Sequence, residues 1–199
     1  MAVSKKRKKV LFLVVALLII LIALFLFGVY MLRKNSEQIQ GLIKNKVSSD
    51  VMKREAELSE VITEIRSQEI PRFVHNDRMK YEDMIPFKEL GNDKITKVFK
   101  EFSLVLISND LDNSEGGYVA FTISPDVTGV VWDGYTHGFY YSEEDSPIDI
   151  FTGDNVDCNT KVYYELMPSM PSMPSNKDWY RTEKITDNWW YYEAHFIWK

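Results

Sequence analysis

The stretch Trp189-Trp190-Tyr191-Tyr192-Glu193-Ala194-His195-Phe196-Ile197-Trp198 decides the fold of this chain. Side chains of a strand point alternately to opposite faces. Read that way, Trp190, Tyr192, Ala194, Phe196 and Trp198 form a wholly apolar face, which must be core. Trp189, Tyr191, Glu193, His195 and Ile197 form a second, amphipathic face. Either a helix of the same domain covers that face or it meets solvent. If it meets solvent, Trp189, Tyr191, Glu193 and His195 make a ligand-contact surface, because flat rings beside polar groups offer large contact area at little rotamer cost.

The same pattern recurs upstream. Residues 104–107, 118–124, 129–135, 138–142, 148–151, 161–167 and 179–185 are short runs rich in β-branched and aromatic residues, separated by turn residues. Such spacing predicts antiparallel β structure. Thr136-His137 is read as a hairpin turn, with further turns at Pro125-Asp126 and over 142–147. Ile95, Val98, Phe99 and Phe102 predict a short helix over 94–102, and 71–93 is read as irregular. Residues 71–199 hold 23 of the 27 aromatics, enough for a large core. Three Met-Pro pairs over 167–174 cannot sit in a central strand, because proline lacks an amide donor. That segment is read as an exposed connector, with Met167, Met170 and Met173 as an adaptable partner loop.

Before this domain, residues 35–70 carry a helical stripe of Ile39, Ile43, Val47, Val51, Leu58, Val61, Ile62 and Ile65, ended by Pro71. Val51, Leu58 and Ile65 share a heptad position. A short coiled-coil stalk is one reading, and packing on the following domain is the other. Residues 10–32 are an unbroken apolar run behind Lys5-Lys6-Arg7-Lys8-Lys9. As helix the run reaches ~34 Å, enough to cross a ~30 Å hydrocarbon core. A cleaved secretory signal would have a shorter apolar region and a small-residue cleavage site; here bulky residues continue through Phe27-Gly28-Val29-Tyr30. The expectation is an uncleaved signal-anchor in the cell membrane, N-terminus cytoplasmic by flanking charge and the remainder outside. The expected plan is a cytoplasmic tail (1–9), a transmembrane helix (10–32), a helical stalk (33–70) and an α+β, mainly antiparallel β, extracytoplasmic domain (71–199).

Charge narrows the partners. Net charge is -5, but residues 1–34 hold seven basic and no acidic groups, so residues 35–199 carry 17 basic against 29 acidic. Such a surface repels phosphate backbones, and nucleic acid is not expected as a partner. The basic N-terminus suits anionic lipid instead. One cysteine, Cys158, allows no internal disulfide. With no Asn-x-Ser/Thr site either, the composition leans towards a bacterial surface protein.

Catalytic signatures are sparse. Glu193 and His195 share a strand face, which suits acid–base work or metal ligation, but two residues are more often a surface pair. Asp110, Asp112, Ser114 and Glu115 begin like a calcium loop, yet the sixth position is Glu115 where glycine is needed and the twelfth is Phe121 where glutamate is needed. The acidic residues over 143–149 and 154–157 read as solvated turns. In its plan of N-terminal anchor and β-rich outer domain the chain is similar to a sortase-like transpeptidase. That resemblance would make Cys158, His137 and Arg181 a Cys-His-Arg trio. The chain departs from the family pattern: Val156-Asp157 precedes Cys158 where Thr-x-Thr is usual, the His-to-Cys gap is short and the Cys-to-Arg gap long.

The sequence therefore predicts a non-catalytic, membrane-tethered binding or accessory protein of the cell envelope, needing no cofactor or metal. Its expected partners are the bilayer and an envelope protein or wall polymer. An envelope hydrolase or sortase-like enzyme is the alternative, and a structural oligomer self-associating through the stalk is a third.

Overall fold

The computed structural model describes residues 5–68, 70–75, 85–111, 117–123, 133–163 and 179–197. The chain forms two compact units, residues 1–46 and 47–199. The first is the major part of α1 (Lys5–Lys53). Within it, Phe12–Met31 is long and apolar enough to cross a membrane, and none of it is buried.

The second unit begins with the end of α1 and with α2 (Glu55–Ser67), and continues through α3 (Asp93–Glu101). Leu58, Val61, Ile62 and Ile65 of α2 are buried, as are Ile95, Val98 and Phe99 of α3. Charges line the seam between the two helices. Lys97 meets Glu57 at 2.7 Å, Lys94 meets Glu60 at 3.2 Å and Glu64 at 3.1 Å, and Arg54 pairs with Glu101. The pairing runs in opposite senses along the two helices, so they are antiparallel. Asn92 caps α3 by accepting from the Ile95 N–H at 3.0 Å. Val51, Leu58 and Ile65 are thus core positions of this unit, and packing on the domain, not a free coiled-coil seam, accounts for that stretch of the stripe.

One eight-stranded sheet follows. Its strands are β1 (Phe73–His75), β2 (Ile85–Pro86), β3 (Leu104–Asp110), β4 (Tyr118–Ile123), β5 (Asp133–Ser142), β6 (Val162–Tyr163), β7 (Trp179–Thr186) and β8 (Trp189–Ile197). The order is β2-β1-β3-β4-β5-β8-β7-β6, antiparallel except between β1 and β2. The predicted antiparallel sheet and the helix near 94–102 are therefore present. So are strands β1 and β2 inside 71–93, a stretch read as irregular.

Thr136-His137 is not a turn. β5 runs unbroken through it, with Thr136 opposite Ala194 and His137 opposite Glu193. Gly138 serves a close approach: a Cβ there would lie 2.1 Å from the Phe121 carbonyl oxygen and 2.8 Å from the Tyr192 ring. The predicted strand at 148–151 is reduced to a single bridge, Ile148 to Asn155.

The two faces of the sheet are covered differently. On one, Tyr118, Ala120, Tyr140, Tyr180, Trp190, Tyr192 and Ala194 form a cluster with Ile148, against which Ile150, Val156 and Cys158 pack. Tyrosine hydroxyls fasten the 143–161 segment over this face. Tyr118 donates to the Ile150 carbonyl at 2.9 Å, Tyr180 to the Ile148 carbonyl at 2.7 Å, and Tyr140 accepts from the Ile148 N–H at 2.9 Å. On the other face, Phe121, Phe139 and Trp189 pack together, and Phe102 at the end of α3 lies 4.9 Å from Phe139. The apolar face expected of Trp190, Tyr192 and Ala194 is core. The side chains of Phe196 and Ile197, and Trp198 entirely, lie outside the described residues.

Candidate functional site

The helix-bearing face changes character along β5, β8 and β7. Register places Phe139, Tyr191 and Glu183 in one row across the three strands. The next row is His137, Glu193 and Arg181, and the next is Tyr135, His195 and Trp179. Alternation puts all nine side chains on one face. Phe139 and Tyr191 of the first row belong to the aromatic core; the middle row is charged and polar.

Glu193 is the hub of that row. It is 5% exposed. One carboxylate oxygen accepts from the Tyr135 hydroxyl at 2.5 Å, and the other pairs with the Arg181 guanidinium at 2.9 Å. Arg181 also meets Glu183 at 2.8 Å. A buried carboxylate needs such partners, since an unpaired one would be neutralised or expelled. Burial first, then Tyr191 and Glu193, pushes the Tyr135 hydroxyl far above its usual range, so it stays a donor. His137 is 7% exposed, and burial holds its imidazole below the usual value, favouring the neutral ring. Its Nδ1 is buried without a hydrogen-bond partner, and so is the Arg181 Nε. Trp179 lies along the rim, stacked with His195 at 6.2 Å and carrying the Lys161 ammonium 3.7 Å over its ring.

The sequence singled out Trp189, Tyr191, Glu193 and His195 as a surface if no helix covered them. Trp189 and Tyr191 are each 1% exposed. They belong to the core, because Phe121, Phe139 and Tyr141 enclose Trp189. Only His195 of the four is half-exposed. The exposed aromatic face is therefore withdrawn, while Glu193 gains partners on neighbouring strands that no local spacing reveals. Met167, Met170 and Met173 lie outside the described residues.

The Cys-His-Arg trio is not assembled. Cys158 packs beside the Tyr140 and Tyr180 cluster, on the face opposite His137 and Arg181. The sheet itself separates thiol from imidazole. An open depression of about 550 Å³ is lined by Asp149, Asp154 and Asp157 among others, but the Asp149 carboxylate already accepts from the Phe151 N–H at 2.9 Å. Among the described residues no three His, Cys, Asp or Glu side chains gather in a way that could hold a metal ion.

The fold defines an α+β protein with one long apolar N-terminal helix and a mostly antiparallel sheet. No protein-family model, curated protein or solved structure matches the chain.

Proposed function

We propose that this chain is a single-pass, membrane-anchored binding or accessory protein of a bacterial cell envelope. Its N-terminus is cytoplasmic, its sheet domain lies outside, and it performs no catalysis. The observation that carries the reading is the wholly exposed apolar helix Phe12–Met31 behind a basic run. The separation of Cys158 from His137 and Arg181 supports binding over a sortase-like reaction. The partner is an envelope protein or a wall polymer, and the acidic outer domain argues against nucleic acid.

Topology is tested with cysteine reporters in a Cys158→Ser background. Asp187 is a good reporter because its side chain is 90% exposed on the β7–β8 turn. Asp187→Cys should react with a membrane-impermeant maleimide in intact cells, and Ala2→Cys only after permeabilisation. The reverse pattern overturns the reading. Binding is tested by co-sedimentation of the detergent-solubilised full chain with purified wall sacculi and by in-cell cross-linking; retention by neither overturns the binding role.

A further inference from the structure

The first unit carries a charge pattern that the sheet domain does not use. α1 begins at Lys5, so the basic run Lys5-Lys6-Arg7-Lys8-Lys9 is helix and continues without a break into the apolar segment. Successive helix positions turn by about 100°, so five in a row go once round the axis. The five basic positions therefore form a collar that leaves out no side of the helix. From first to last they rise only ~6 Å along the axis. A bilayer of ~40–45 Å with a ~30 Å hydrocarbon core leaves roughly 5–8 Å of headgroup region on each side. The collar matches that layer in depth, and the apolar run begins at the next residue, Val10.

We infer that the Lys5–Lys9 collar binds the phosphate groups of anionic phospholipids around the N-terminal end of the span. Geometry and charge select this partner. A protein groove or a nucleic acid meets a helix from one side and would leave part of the collar unmatched, whereas lipid headgroups surround a spanning helix on all sides. A helix lying in the membrane plane would carry its charges on one face, and these go right round. Residues 1–34 contain no acidic residue to compete for the collar, and α1 has none in its first turn. The attraction falls off within a Debye length, so it selects among the lipids in contact with the helix. The far end of the span has only Arg33 and Lys34, with Glu37 close behind, so selection is stronger at the N-terminal end.

This inference rests on the membrane anchoring proposed above. Its test reconstitutes the full chain in phosphatidylcholine vesicles carrying a trace of spin-labelled phosphatidylglycerol or spin-labelled phosphatidylcholine. Electron spin resonance then reads the share of each label that the protein immobilises. Phosphatidylglycerol should associate roughly 2- to 5-fold more than phosphatidylcholine at low salt, at most the worth of one basic residue near an anionic surface, and less as salt screens it. Replacing the collar (Lys5→Gln, Lys6→Gln, Arg7→Gln, Lys8→Gln and Lys9→Gln together) should remove most of that preference, and Arg33→Gln with Lys34→Gln should remove less. Equal association of the two lipids with the parent overturns the inference and leaves the collar to an acidic protein. A preference that survives the five substitutions, or that the second pair removes as fully, overturns it too. A parent chain that does not float with the vesicles overturns the anchoring itself, so the two failures are told apart.

Discussion

The two faces of the sheet are built from the same strands and finished in different ways. On the 143–161 side, four tyrosines point inward and every hydroxyl has a partner: Tyr118 on Ile150, Tyr140 on Thr182 and Ile148, Tyr180 on Ile148, Tyr192 on Thr122. On the helix side, a tight aromatic cluster around Phe139 and Trp189 gives way, one row on, to Glu193, Arg181 and His137, where polar atoms remain unpartnered. The first face uses hydroxyls to hold a segment that has almost no regular structure of its own. The second concentrates charge where a packed apolar row would have been more stable. Burial raises the tyrosine hydroxyls on both faces, Tyr118 to about 12, so ionisation does not distinguish them.

The largest effect is expected where the faces meet through Gly138. Gly138→Ala drives a methyl group against the Phe121 carbonyl and the Tyr192 ring, and backbone cannot yield as a side-chain end can. A loss of about 3 kcal/mol or more is expected, read as a lower urea midpoint, or as failure to fold at all. A variant as stable as the parent would mean that β4 and β5 are not so closely apposed.

Next comes a matched pair of substitutions that pits one face against the other. Tyr140→Phe strands the buried Ile148 N–H, while the Thr182 hydroxyl keeps its bond to the Tyr191 carbonyl, and should cost about 1–3 kcal/mol. His137→Phe removes a buried nitrogen that has no partner, so it should be neutral or slightly stabilising. If both cost the same, the distinction between the faces collapses.

Acid sharpens the comparison further. The folded-state imidazole of His137 is held below its unfolded value by burial. The unfolded chain then binds the extra proton, so this stability is complete above about pH 6.5 and declines as pH falls below it. Denaturation midpoints from pH 8 to pH 5 should fall for the parent and fall less for His137→Phe. Parallel curves would show that His137 is not buried as described.

The smallest effect belongs to the helix seam. Lys97→Ala removes an ion pair with Glu57 that is largely exposed, and about 0.5 kcal/mol or less is expected, shrinking with salt. A larger loss would mean that the charges, not Leu58, Val61 and Ile95, hold α2 to α3.

Much of this architecture was legible because it rests on local periodicity. The apolar run 10–32, the stripe ending at Ile65, the 94–102 helix and the alternation over 189–198 each announce an element, since 3.6- and 2-residue periods are properties of the backbone alone. Periodicity failed where a residue's role lay on another strand. Thr136-His137 looked like a turn because nothing nearby in sequence shows β5 pairing through it with β8. Trp189 and Tyr191 stayed open between core and surface because an amphipathic strand does not say how far a helix reaches along it. Residues 47–67 looked equally like a stalk or a layer of the domain, and only packing against α3 decided between them.

The sequence by itself determined that one helix is apolar enough to cross a membrane, that the remainder is acidic, and that its strands pair mainly antiparallel. These follow from composition and from the two backbone periods. Only the tertiary structure decided that the aromatic residues of β8 are core on both sides, that Cys158 and His137 stand on opposite faces, and that His137, Glu193 and Arg181 share a row. Those three residues lie as many as 56 positions apart and meet only through strand register, which is set by the packing of whole faces and not by any local signal.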